Sequence, residues 1–202
     1  MSPCGWQDGE TGCSLTRSSQ QTDLYLGFLA VVDQASHGLV GGYLVLNQFG
    51  RPVEFHCTTP VRPSRAQQIL FGATLPAYLY GEQIGQTLLA KAEHAVALIC
   101  TSDLESLAVK DFAAAPVALV VRSSQAVDFA TPLGTTAVEL CGCRCLLAAD
   151  ADQQRALAER LEPLGKFDLA EPFDRIRAAI AEALSSLNTS GTSYTPPSAR
   201  CA

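Results

Sequence analysis

The run from Asp23 to Asp33 (DLYLGFLAVVD) constrains the fold of this chain more than any other stretch. Both of its alternating faces are apolar, which is typical of a β-strand that is covered on both sides. Two further strand patterns, Leu39 to Asn47 and Arg51 to Thr58, follow after short turns. Strands joined by such short turns pair antiparallel. The sequence therefore predicts a three-stranded antiparallel meander.

Helix and strand patterns alternate after the meander. Ser64 is a suitable N-cap for the first helix, and the last helix has apolar residues at i, i+3, i+4 and i+7, the spacing of an amphipathic helix. In chain order the predictions are helices over 65–70 and 77–92, a strand over 95–100, a helix over 104–112, strands over 117–121 and 136–148, a helix from 150 or 152 to 161 and a helix from about 170.

This element order resembles that of ribonuclease-H-like sheets. It is also compatible with other mixed α/β sheets, including longin-like and roadblock-like adaptor folds. We therefore expect an α/β (α+β) fold with a mixed sheet, which opens with the meander, continues with helix–strand units and ends on an amphipathic helix. A resemblance of folds does not transfer a function.

The 202 residues suit one α/β domain, which we place at 23–187. The ends, 1–22 and 188–202, are polar and are predicted to be disordered tails. No secretory signal pattern is present, and no apolar run approaches the ~20 residues that span a bilayer. We therefore expect a cytoplasmic protein without membrane association, with its eight cysteines reduced.

The charge balance shapes the expected partners. The chain has 20 acidic and 14 basic residues and a net charge of -6, so no generic nucleic-acid binding is expected. Only 17% of its residues are charged, against roughly 25% on average, which leaves apolar surface for a protein partner or a second copy in a homodimer. The leading interpretation is a non-catalytic binding or regulatory module of unknown ligand, with enzymatic activity left open.

A cluster of cysteines, Cys141-Gly-Cys143-Arg-Cys145, stands on the strand predicted at 136–148. On one strand the three thiols would share a face and could bind zinc, with Cys100 or His94 as a fourth ligand. Ligands on a straight strand diverge, however, so we expect small core residues instead. Zinc binding and redox chemistry are the alternatives, and no cofactor is predicted.

A polar face is expected at the end of the third strand. Alternation places Glu54, His56 and Thr58 on one side, and Arg62 and Arg65 follow shortly after. These five residues are the predicted binding site for an acidic group or a partner. The competing interpretation is an ordinary solvated strand face.

Three carboxylates support an alternative function. A ribonuclease-H-like nuclease places carboxylates near the end of the first strand, on the first long helix and at the end of the fourth strand, where they hold two divalent ions such as magnesium. Asp33, Glu82 and Asp103 occupy roughly these places. They are the candidate catalytic residues of a divalent-metal-dependent hydrolase or nuclease. Ordinary turn, helix-surface and N-cap roles compete with this interpretation.

Overall fold

The computed structural model describes residues 24–121 and 134–190. Seven strands in these ranges form one mixed sheet. They are β1 (Tyr25–Gln34), β2 (Gly38–Asn47), β3 (Pro52–Cys57), β4 (Leu98–Thr101), β5 (Val117–Val120), β6 (Thr136–Leu140) and β7 (Cys143–Ala148). Their order across the sheet is β3-β2-β1-β4-β5-β7-β6.

The predicted meander is confirmed. β1 pairs antiparallel with β2 over its whole length, from Tyr25 opposite Asn47 to Gln34 opposite Gly38, and β2 pairs antiparallel with β3. β4 lies parallel to β1 on the other side, and β5 lies parallel to β4. The mixed α/β fold class is therefore as expected, and it is consistent with the ribonuclease-H-like element order.

The single strand predicted over 136–148 is wrong, because this stretch folds as the hairpin of β6 and β7. The turn consists of Cys141 and Gly142, with φ angles of +52° and +79°. Positive φ at both central residues is the geometry of a two-residue hairpin turn that matches the twist of the strands. Glycine reaches this region without a steric cost, but cysteine rarely does, which is why the turn escaped the pattern.

The helical elements depart from the predictions mainly in type. The pattern predicted at 77–92 is largely a π-helical segment, and the one at 104–112 is a 3₁₀ helix. In chain order the elements are α1 (Arg65–Phe71), a 3₁₀ turn (Gly72–Thr74), α2 (Leu75–Ala77), the π-helical segment (Tyr78–Gln86), α3 (Thr87–Leu89), a 3₁₀ helix (Glu105–Asp111), α4 (Ala151–Leu161), a 3₁₀ turn (Glu162–Leu164) and α5 (Glu171–Ser190).

Both faces of the sheet are buried, as the apolar β1 run requires. One face packs against α4 and α5, with Phe28 of β1 against Phe173 of α5 at a ring-centroid distance of 5.7 Å. The other face packs against the π-helical segment and the 3₁₀ helix, with Leu29 and Ile84 fully buried there.

The ends of the domain remain a prediction. α5 continues to Ser190, past the boundary at 187, whereas the tail residues 1–22 and 191–202 and most of the connection predicted at 123–135 lie outside the described residues. Among the helices of the described ranges, none has the length and hydropathy needed to cross a membrane.

Candidate active site

The carboxyl ends of β1, β4 and β5 meet at one edge of the sheet because these strands run parallel. Asp103 comes directly after β4, and Asp33 lies near the end of β1. The Asp103 Oδ2 atom accepts hydrogen bonds from the Val31 backbone N–H at 3.4 Å and from the Ser102 hydroxyl at 2.9 Å. The fold therefore brings Asp103 against the end of the first strand, as the carboxylate hypothesis expected.

The surroundings of Asp103 favour its protonated form. Burial is the main cause and raises its pKa, and the negative charge of Glu105 adds to the rise. The bonds from Ser102 and Val31 and the positive charge of Arg177 act in the opposite direction, but they do not cancel it. A carboxyl that keeps its proton to a higher pH is better suited to donating that proton near neutrality.

Tyr80, on the π-helical segment, reports how the acidic groups are arranged. Its pKa is raised by burial and then by the charges of Asp103, Glu105 and Asp33. Three carboxylates from β1, from the residues after β4 and from the 3₁₀ helix therefore act on one phenol. A recess of about 250 Å³ opens beside them, lined by residues 102–105 and 119–121.

Glu82 does not join this group, so its place in the predicted catalytic set is wrong. It is exposed on the π-helical segment, whose neighbouring Gly81 and Ile84 face the core. The charges that act on Tyr80 and Asp103 do not include Glu82. Glu105 stands at the edge instead, and the sequence pass missed it because it lay inside a predicted helix. Its position two residues after Asp103 was the available signal.

The described residues do not form a metal centre. None of their His, Cys, Asp and Glu side chains form a group of three that could hold one ion. The acidic edge therefore does not fit the two-ion arrangement of the hypothesis, which needs converging ligands. The chemistry of this edge is argued below from its own side chains.

A second polar cluster forms on β3, where the sequence predicted a binding site. Glu54 and His56 do come together: the His56 Nε2 atom donates to Glu54 Oε1 at 2.5 Å. His94, from the segment before β4, donates from Nδ1 to Glu54 Oε2 at 2.9 Å. The backbone N–H groups of Glu93 and His94 bind the same carboxylate at 2.9 and 3.3 Å. His94 had been considered only as a zinc ligand, and no local pattern links it to a strand 40 residues away.

Glu54 is held as a carboxylate by these four donors. Its side chain is 9% exposed, and burial alone would raise its pKa. The hydrogen bonds from His94, His56 and the two backbone groups outweigh burial and lower the pKa to about 2. The cluster is therefore an ion-pair network whose central charge persists well into the acid range.

The other three residues of the predicted binding site lie elsewhere, so that set is corrected. Thr58 accepts a bond from the Gly41 backbone N–H at 3.0 Å. The Arg62 guanidinium binds the backbone carbonyls of Ser36 and His37 and ties down the β1–β2 turn. Arg65 reaches Gln68 at the start of α1. These contacts stabilise the local backbone and do not converge with Glu54 and His56.

The cysteine cluster folds as core residues. Cys141 lies in the β6–β7 turn, and Cys143 and Cys145 lie on β7, with Cys145 buried beside buried Cys100. Burial raises the pKa of Cys100, of Cys141 and, to about 12, of Cys145. Zinc and redox chemistry both need thiolates, and no three of the described cysteines form a metal group.

Comparisons with known proteins find likeness in structure alone. No family model matches the chain, and no curated protein matches it. Human ENDOV is 11% identical, with 83% of this chain and 87% of that chain covered and a TM-score of 0.45. Endonuclease V of Ciona intestinalis, solved with DNA that contains an inosine followed by a ribo-adenosine, is 12% identical, with coverages of 84% and 88% and a TM-score of 0.44. Identity this low speaks to the fold alone, and TM-scores below 0.5 transfer no activity or substrate.

Two expectations about function are nevertheless corrected by these matches. The chain was expected to be a binding module and to bind no nucleic acid generically. Endonucleases, one of them solved with DNA, are among the structures with a similar arrangement of elements. A net charge summed over the whole chain does not describe the local field at one edge of a sheet, so the acidic balance was insufficient ground for excluding nucleic acid.

Proposed function

We propose that this protein is a hydrolase of phosphodiester bonds that acts at the edge formed by the carboxyl ends of β1 and β4. The observation that carries the proposal is the contact of Asp103 with the Val31 backbone N–H. It places the acidic residue after the fourth strand against the first strand, which carries Asp33 near its end. The mixed sheet supplies the analogy to ribonuclease-H-like nucleases, and the analogy supplies the substrate class.

The two carboxyl groups differ in a way that suits acid–base chemistry. In the proposed reaction a water molecule attacks phosphorus and the bond to the leaving oxygen breaks. Asp33 is exposed and accepts the proton of the attacking water. Asp103 is buried enough to keep a proton, which it donates to the leaving oxygen. Arg177, whose positive charge acts on Asp103, offsets the negative charge of the phosphate group.

The test is cleavage of labelled single-stranded and duplex DNA and RNA oligonucleotides by the full chain. Reactions run in parallel with Mg²⁺, with Mn²⁺ and with a chelator, so that added metal is a variable of the assay. Asp103→Asn and Asp33→Asn are each expected to lower the cleavage rate by about 10²-fold or more, the usual contribution of a general acid or base. Asp152→Asn, at a side chain that is 95% exposed on α4, is the matched control and should cleave like the wild type.

Two outcomes contradict the proposal. If Asp103→Asn cleaves as fast as the wild type, the activity belongs elsewhere in the chain or to a contaminating nuclease. If the wild type cleaves none of these oligonucleotides under any metal condition, the protein is not a nuclease acting at this edge.

A further inference from the structure

The Glu54 network has a consequence at the opposite edge of the sheet from Asp103. Glu54 is ionised at neutral pH, so it only accepts hydrogen bonds. Each imidazole nitrogen that faces it must therefore carry a hydrogen: Nε2 of His56 and Nδ1 of His94. A neutral His94 ring then has its lone pair on Nε2, the nitrogen that does not face Glu54. The network thus fixes the tautomer as well as the position of this ring.

The His94 ring is held from a second direction. Its face and edge lie against Tyr25 of β1, with ring centroids 5.1 Å apart and planes at 67°. The His94 side chain is nevertheless 35% exposed. A ring that is fixed at one nitrogen, packed against an aromatic neighbour and still open to the outside is a preorganised hydrogen-bond acceptor.

His94 lines the largest cleft found among the described residues, with a volume of about 640 Å³. The rest of the lining is mainly apolar and includes Leu89, Val96 and Phe112, together with several alanines. Glu54 and His56 are not part of the lining. The part of the ring that reaches the cleft is therefore the part turned away from Glu54, which includes Nε2.

We propose that this cleft is a ligand site for a small apolar molecule with one hydroxyl group, such as a phenol, whose O–H donates to His94 Nε2. The volume lies in the range of small-molecule sites, and an apolar lining with one or two placed polar groups is their usual composition. The site lies outside the acidic edge, and its assignment does not depend on hydrolase activity.

The test uses phenol as the probe and the full chain labelled with ¹⁵N at histidine. Phenol is titrated at about pH 8, where free imidazole is neutral, and the Nε2 resonance of His94 is followed by long-range ¹H–¹⁵N spectra. A saturable shift of that resonance is expected. Anisole has the same ring without the donor, so it should bind about tenfold more weakly, the effect of one lost hydrogen bond.

Two variants check that the response comes from the cleft. Ala114→Phe fills the cleft from an exposed position of its lining and should abolish the phenol shift, whereas Ala178→Phe on an exposed position of α5 should leave it unchanged. The His37 and His56 resonances show whether each variant keeps the wild-type fold. Equal responses to phenol and anisole would overturn the acceptor role of His94, and the absence of a saturable His94 shift with phenol would overturn the site.

Discussion

Asp103 combines a proposed catalytic role with a cost to stability. Burial disfavours its charged form, so its pKa in the folded state lies above the ordinary value of 3.8. Folding is then favoured most, as far as this group is concerned, below the pKa of the unfolded chain. That advantage is lost as the pH rises through the folded-state pKa. A residue kept despite such a cost is typical of a functional site.

Asp103→Asn is therefore expected to stabilise the protein at neutral pH. The amide oxygen of asparagine still accepts from the Val31 N–H, but no charge is buried. The gain over the wild type should shrink toward zero near about pH 4, where the aspartate is itself neutral. Urea unfolding of both proteins across this range measures the effect. A variant that is less stable than the wild type at neutral pH would show that the charged form of Asp103 is favoured by its surroundings.

Glu54 has the opposite linkage. Its pKa falls from 4.5 to about 2 on folding, so its contribution to stability is present above about pH 4.5. That contribution is lost as the pH falls from there toward 2. Glu54→Gln should lower the free energy of unfolding at neutral pH by on the order of 2 kcal/mol, the value of charge-assisted hydrogen bonds.

Chemical denaturation at neutral and acid pH checks this expectation. The loss in Glu54→Gln should diminish as the pH approaches 2, because the wild-type carboxylate is then protonated too. Glu159→Gln, at an exposed position of α4, is the control and should change stability by less than about 0.5 kcal/mol. A Glu54 variant with wild-type stability at neutral pH would mean that the two histidines contribute nothing net to folding.

At the scale of elements, the π-helical segment and the 3₁₀ helix approach each other closely through glycine. A Cβ atom at Gly81 would lie 2.6 Å from the Cβ of Ala108 and 3.0 Å from its backbone carbonyl carbon. Backbone atoms cannot move aside as a flexible side chain can. The glycines that weaken helix propensity in this segment are therefore explained by packing.

Gly81→Ala tests this contact by the sign of its effect. Helix propensity alone predicts a gain of about 1 kcal/mol for alanine, whereas overpacking predicts a loss of about 1–3 kcal/mol. We expect the loss, measured as a lower urea midpoint. Gln86→Ala, at an exposed position of the same segment, is the control for propensity. A stabilised Gly81 variant would mean that the two elements are able to separate without cost.

Elements were predictable from the sequence where one local physical signal dominates. The apolar run of β1 and the Ser64 and Asp150 capping positions are of this kind, and both caps form complete capping boxes. The π-helical segment and the Cys141 turn were not predictable. Close packing of Gly81 on Ala108 and the positive φ of Cys141 depend on partners that are distant in the sequence or on a rare backbone conformation.

The candidate sites show the same division. Alternation on β3 was sufficient to pair Glu54 with His56, and the strand ends were sufficient to select Asp33 and Asp103. The pairing of Glu54 with His94 depends on how the segment before β4 returns to β3, which periodicity does not reveal. Glu82 was selected from its place on a helix, but the rotation of that helix, set by Gly81 and Ile84 in the core, turns it to solvent.

At the scale of the whole molecule, the sheet separates the two polar clusters. Glu54 lies opposite Val45, and Val45 lies opposite Gly27 of β1, whereas Asp103 binds the backbone of Val31. Four residues of extended strand separate Gly27 from Val31, a distance of about 13 Å at ~3.3 Å per residue. The intervening β1 residues are fully buried, Phe28, Leu29 and Ala30 among them. A rigid apolar core therefore stands between the acidic edge and the Glu54 network.

This separation predicts that the clusters act independently on stability. The double variant Asp103→Asn/Glu54→Gln should change the free energy of unfolding by the sum of the two single changes, within about 0.5 kcal/mol. The single changes have opposite expected signs at neutral pH, so partial cancellation in the double variant is the visible result. Urea unfolding of the four proteins under one condition completes the cycle. A coupling energy above about 1 kcal/mol would mean that the sheet transmits a change at one edge to the other.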